Sequence, residues 1–202
     1  MAVPLTGYLT GQGRYAGIDV KDAPIEWCQK KISAKFPNFR FHWLDARNGV
    51  YAPNGKKQPI EIRFPFKESS FDTVVGLSVF THMLPQDVTH YLGEIARVLK
   101  PGGQLYMTLF LINDESLKLL ASGTPLQQPR LRQFLQNDLG CYRVIQPKQP
   151  ENAVAYTEAF VRKYWKEKGL EIVEPIQFGR WCGKQTLRRL GQDVVLARKP
   201  RV

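Results

Sequence analysis

At 202 residues the chain is long enough to bury a sizeable core and is expected to form a single domain. Hydrophobic residues at 43% and charged residues at 23% are ordinary for a soluble globular protein and exclude disordered and fibrous classes. Lys and Arg number 29 against 18 Asp and Glu, a net charge of +11 that would suit RNA, an anionic metabolite or a membrane surface.

In chain order, residues 1–10 read as the end of a helix stopped by Thr10-Gly11-Gln12-Gly13. Arg14 to Val20 reads as a strand ending in an acid, Asp19. Asp22 is placed to cap the next helix, with Pro24 in its first turn and Ile25, Cys28 and Ile32 as its buried stripe. Phe39, Phe41 and Trp43 alternate along a second strand that ends in Leu44-Asp45-Ala46. Residues 47–68 form a polar connection, long for a compact domain, so it is expected to be functional or partly ordered as a hairpin.

Phe71-Asp72-Thr73-Val74-Val75-Gly76-Leu77-Ser78 is a short valine-rich run that reads as a buried strand. Pro85 suits the first turn of a helix whose apolar face is Val88, Leu92, Ile95 and Leu99. Lys100-Pro101-Gly102-Gly103 stops it, and Gln104 to Leu111 is a further strand. Strand, helix, glycine turn and strand make a right-handed crossover in a parallel sheet.

Asn113-Asp114-Glu115 marks another helix start, followed by Leu117, Leu119 and Leu120. Residues 121–152, with Gly123, Pro125, Pro129, Pro147 and Pro150, are expected to be irregular with one short helix around Leu131–Leu135. A helix over Thr157–Lys168 carries Phe160, Val161, Tyr164 and Trp165 on its apolar face. Strands at Leu170–Glu174 and Asp193–Arg198 follow, joined through Trp181-Cys182-Gly183. Alternating strands and helices give an α/β sheet covered on both faces.

No apolar run approaches the roughly 18 residues of a membrane span, and residues 1–5 lack the features of a secretory signal. Cys28, Cys141 and Cys182 are odd in number with no CxxC pair, which argues against a disulfide scaffold or a zinc site and fits the cytoplasm. The basic residues are scattered (Lys30, Lys56, Arg130, Arg162, Arg188, Arg189) with no aromatic RNA-binding motif among them. The excess charge therefore reads as a solvated surface, with nucleic acid open but not favoured.

The stretch FDTVVGLSVFTHML followed by YLGEIARVLKPGGQLYMTLF resembles the middle of a class I S-adenosylmethionine-dependent methyltransferase of the type 11 kind. The resemblance implies a Rossmann-like α/β sheet, mostly parallel, whose last strand runs antiparallel between the fifth and sixth. It also implies S-adenosylmethionine as methyl donor and assigns residues to it. Asp19, with Val20, would accept from the ribose hydroxyls. Asp45, Ala46 and Arg47 would meet the adenine, and Ser78 and Val79 would offer backbone carbonyls to the methionine ammonium. Asp72 is read as structural.

No catalytic residue is fixed by the sequence. His82 is the candidate base, since an imidazole titrates near neutral pH, although its position also suits packing. Residues 112–152 are read as an insertion or lid, with Phe134, Tyr142, Arg130 and Arg132 as candidate substrate contacts and Trp181 nearby; loop packing is the alternative for all of them. The first strand and the glycine-rich loop of the family have no counterpart, so the chain reads as an N-terminally truncated member.

Transfer to a small-molecule acceptor is the expected function. A non-catalytic remnant and an RNA methyltransferase are the alternatives. A nicotinamide-dependent dehydrogenase would also use Asp19, but the second acid and the Lys-Pro-Gly-Gly turn count against it. The acceptor and the oligomeric state have no signature in the sequence.

Overall fold

The computed structural model describes residues 2–9, 11–123, 128–186 and 190–201. Thr10, Pro125, Arg188 and Arg189 lie outside the described residues. Two compact units make up the chain, residues 1–65 and 66–202, where the sequence is read as one domain.

The first unit runs from a helical turn, α1 (Ala2–Leu5), through β1 (Tyr15–Asp19) and α2 (Asp22–Cys28) to β2 (Phe39–Trp43). β1 and β2 pair in parallel, from Tyr15 opposite Phe39 to Asp19 opposite Trp43. Ile25 and Ile32 are buried against Phe39 and Phe41, and half-buried Cys28 packs on the same cluster. Lys21, not Asp22, holds the N-cap position of α2. Asp22 sits in the first turn and accepts from the Ala23 N–H at 2.7 Å, where its charge still complements the helix dipole. Beyond α2 the chain continues as a π-helical stretch over Gln29–Ser33. Trp43 breaks the inward alternation of β2: it is 48% exposed, and its indole N–H donates to the Val20 carbonyl at 2.9 Å.

In the second unit the order is β3 (Phe71–Gly76), α3 (Pro85–Val98), β4 (Leu99–Leu109), β5 (Leu111–Ile112), α4 (Asp114–Ser122), β6 (Tyr142–Val144), β7 (Val154–Thr157), α5 (Glu158–Glu167), β8 (Glu171–Ile172) and β9 (Asp193–Arg198). β3 and β4 pair in parallel across the α3 crossover, as expected. Val88, Leu92 and Ile95 form the buried face of α3, and buried Leu99 is its C-cap residue. Lys100 to Gly103 form an irregularity within a longer strand, because the pairing jumps from Phe71 opposite Leu99 to Thr73 opposite Gln104. Gly102 supplies the positive φ of +80° that this detour requires. β9 lies between β4 and β8 and runs antiparallel to both, the placement the resemblance implied.

The described residues of 112–152 are more ordered than their composition suggests. α4 starts where expected, with the Asn113 side chain accepting from the Ser116 N–H at 2.9 Å. The short helix is a 3-10 stretch over Pro129–Leu135. A three-stranded sheet of order β5-β7-β6 follows, of which β6 and β7 escape the sequence reading. Phe134 and Trp181 are buried and pack with Phe110, ring centroids lying 5.1–5.9 Å apart. These two aromatics thus serve packing, the alternative to a substrate mouth.

Among the described residues no helix is long and apolar enough to cross a membrane, and no group of three or more His, Cys, Asp or Glu could hold a metal ion.

Candidate functional site

Carboxyl ends of parallel strands are where open α/β sheets take ligands, and the predicted site residues leave three such ends. At the end of β1, Asp19 is exposed. One of its oxygens accepts from the Lys21 N–H at 2.9 Å, and its main-chain carbonyl accepts from the Leu44 N–H at 2.9 Å. The strand end is held by the backbone while the carboxylate faces solvent. An ionised carboxylate has about four acceptor sites, so it can take both hydroxyls of a diol beside that local bond. Val20 follows, half-buried, with its carbonyl tied to the Trp43 indole.

Beyond β2, Asp45 organises the 47–57 loop. Its Oδ1 accepts from the Lys56 N–H at 3.0 Å and its carbonyl from the Lys57 N–H at 3.1 Å. The Ala46 N–H turns back to the Leu44 carbonyl at 2.7 Å, and the Arg47 N–H donates to the Lys57 carbonyl at 2.8 Å. Those two amides are committed within the chain. Buried Ala46 lies directly under Gly55, where a Cβ would collide with the Ala46 carbonyl. The acid end of β2 is therefore closed over by its own loop.

β3 ends at Gly76, and Ser78 then adopts a left-handed backbone with φ of +55°. For a residue with a Cβ that conformation costs roughly 1–2 kcal/mol. Three hydrogen bonds hold it: the Ser78 N–H donates to Thr108 Oγ1 at 2.8 Å, the Ser78 hydroxyl to Gln192 Oε1 at 2.9 Å, and the Thr81 hydroxyl to the Ser78 carbonyl at 3.0 Å. The Val79 carbonyl accepts from the His82 N–H at 3.0 Å. Each carbonyl keeps a second lone pair for a cationic donor.

His82 is half-buried, and its Nδ1 lies 2.8 Å from the Glu151 carbonyl, so Nδ1 carries the proton and donates. The ring thereby pins the turn after β3 to the stretch before β7. Tyr156 reinforces the same junction by donating its hydroxyl to the Met83 carbonyl.

Two groups here carry no sequence signal. Gln192, just before β9, arrives beside Ser78 because β9 runs antiparallel to β4 and so starts at the carboxyl end of that strand. Asp193 is buried, with its carboxylate accepting from the N–H groups of Leu111 and Gly179 and from the Trp181 indole, each at 2.7 Å. Burial pushes its carboxyl up to about 6, against those donors and Lys184, which favour the anion.

The profile of the family described as "Methyltransferase domain" matches residues 3–107, which is 105 of the 202 residues. The chain belongs to that methyltransferase domain family. It is 31% identical over 122 residues to phthiotriol/phenolphthiotriol dimycocerosates methyltransferase 1 of Mycobacterium ulcerans, covering 59% of this chain and 38% of that protein. To 27-O-demethylrifamycin SV methyltransferase of Amycolatopsis mediterranei it is 27% identical over 159 residues, covering 69% of this chain and 56% of that protein. It thus spans well under two thirds of the length of either curated relative. Among solved structures, a protein of Methanosarcina mazei described as a SAM-dependent methyltransferase superposes with a TM-score of 0.58 at 17% identity, covering 99% of this methyltransferase-family chain and 98% of its own. At that identity the likeness shows the fold: Rossmann-like, mostly parallel, with an antiparallel last strand.

Proposed function

We propose that the chain takes part in S-adenosylmethionine-dependent methyl transfer to a small-molecule acceptor. The observation that carries this reading is the exposed Asp19 carboxylate at the end of β1, held by its backbone with acceptor capacity to spare. Membership of the methyltransferase family and relatives named for phthiotriol/phenolphthiotriol dimycocerosates and for 27-O-demethylrifamycin SV support it.

Taken one by one, the candidate residues have the chemistry that parts of such a donor call for. Asp19 suits ribose hydroxyls, the second oxygen of Asp45 suits an exocyclic amine, and the Ser78 and Val79 carbonyls suit an ammonium. The donor supplies a sulfonium methyl carbon that is already electrophilic and leaves behind a neutral thioether. What the protein contributes is alignment and proximity. His82 is assigned positioning of the turn after β3, because its Nδ1–H donates to the main-chain carbonyl of Glu151. Residues 112–152, which continue from the carboxyl end of β4, are assigned to the acceptor side.

Thermal unfolding with and without S-adenosylmethionine tests the donor assignment. A ligand at a hundred times its dissociation constant stabilises the native state by about 2.7 kcal/mol. A rise in the midpoint that saturates with donor is expected, and an unchanged midpoint contradicts the reading. RNA, which the +11 charge would suit, is the alternative acceptor but not the favoured one. Binding of RNA that weakens steeply with salt would select it over a small molecule.

A further inference from the structure

We infer that Gln192 is a positioning residue for the donor site: through Ser78 it fixes the backbone that receives the methionine end. The inference rests on the donor reading given above. Its geometry lies wholly within the second unit.

Ser78 is one of two non-glycine residues with positive φ among those described, and it stands at the carboxyl end of β3. Unusual backbone held in place by its surroundings concentrates at functional sites. Two of the groups that hold it converge on Gln192. The Ser78 hydroxyl donates to Gln192 Oε1 at 2.9 Å and the Thr108 hydroxyl donates to the same oxygen at 2.7 Å, while Thr108 in turn accepts the Ser78 N–H. One amide oxygen has two lone pairs, and both are used. With its proton committed to Gln192, the Thr108 oxygen presents a lone pair to the Ser78 amide. Gln192 thus sets the orientation of both the backbone and the side chain of Ser78.

Gln192 is itself anchored. Asp193 next to it is buried and bound by three N–H donors, so the start of β9 cannot drift from the end of β4. Ser78 is exposed, Gln192 half-buried and Thr108 buried, so the network runs from the interior of the second unit out to the strand end. A network that starts at a buried threonine and ends on an exposed left-handed residue at the ligand edge is an orienting device.

The test is calorimetric binding of S-adenosylhomocysteine by the full chain, alongside thermal unfolding, for wild type, Gln192→Ala, Ser78→Gly and the double variant. Gln192→Ala is expected to weaken binding roughly tenfold, the upper range for one net hydrogen bond. Glycine adopts positive φ without help, so Gln192→Ala should change affinity less than about twofold in the Ser78→Gly background. Should Gln192→Ala fail to fold, Ser78→Ala removes the same contact from the other side and is expected to show the same loss. Equal losses from Gln192→Ala in the wild-type and Ser78→Gly backgrounds would mark Gln192 as merely structural and overturn the inference. Wild-type binding with Gln192→Ala or Ser78→Ala unaffected would overturn it while leaving the donor reading intact. A wild-type chain that does not bind S-adenosylhomocysteine would overturn both.

Discussion

Asp193 shows how much one buried side chain can organise. Its carboxylate ties together the end of β4, the Gly179–Trp181 stretch and the start of β9. With the folded-state value near 6 and an unfolded value near 3.8, the native protein binds the proton more tightly than the unfolded chain does. Stability from this group is therefore fully present below pH 4 and is lost as pH rises to 6, by an amount on the order of 3 kcal/mol. Asp193→Asn removes the titration and sets an amide N–H against the Gly179 N–H. We expect the variant to be destabilised by about 1–3 kcal/mol at pH 7, and by more at pH 4. Denaturant unfolding at the two values measures this; a gap that widens with rising pH would contradict the assignment. Asp45 offers a second residue-level test. Its bond to Lys56 should protect that amide, so Asp45→Ala should speed hydrogen exchange at Lys56 roughly tenfold for a contribution near 1.4 kcal/mol. Unchanged exchange would mean that the loop holds itself.

At the scale of elements, the long periodic pieces are legible in the sequence and the short ones are not. Val88, Leu92 and Ile95 announce α3, and the valine run announces β3, because several residues repeat one pattern. β7 escapes because Val154 to Tyr156 form a brief apolar run with no alternation, directly before the Thr157 cap of α5. β6 is three residues, too short for a period to show. Trp43 keeps the alternation of β2 in sequence but reaches a carbonyl at the strand end instead of the core. For the site, Asp19 and Asp45 are legible as acids closing strands. The Ser78–Thr108–Gln192 cluster is not, since serine carries no signature for positive φ and Gln192 lies 114 positions from Ser78. Two predictions belong here. Phe134, fully buried against Phe110 and Trp181, should cost about 3–5 kcal/mol when changed to Ala, read by denaturant unfolding. A loss under about 1 kcal/mol would mean this core is loosely packed. β3 is the terminal strand of its sheet, with Val75 exposed by 40% and Leu77, just past the strand end, by 47%. An apolar terminal strand invites pairing between molecules, and a lysine on it opposes that. Val75→Lys should lower light scattering at high protein concentration; equal scattering would show that this strand does not drive association.

For the whole molecule, family membership and fold come from the pattern that runs from β1 to β4, which is also where the family profile lies. The donor assignment is made strand end by strand end, and Asp19, exposed at the end of β1, is the commitment most open to test. A charge-assisted hydrogen bond contributes roughly 1.5–3 kcal/mol, so its loss weakens binding at least tenfold. The most direct measurement is a calorimetric titration of the chain with S-adenosylhomocysteine, wild type beside Asp19→Ala. Saturable one-to-one binding by wild type, weakened tenfold or more by the substitution, is the predicted result. Equal affinity for the two proteins, or no binding by wild type, would contradict it.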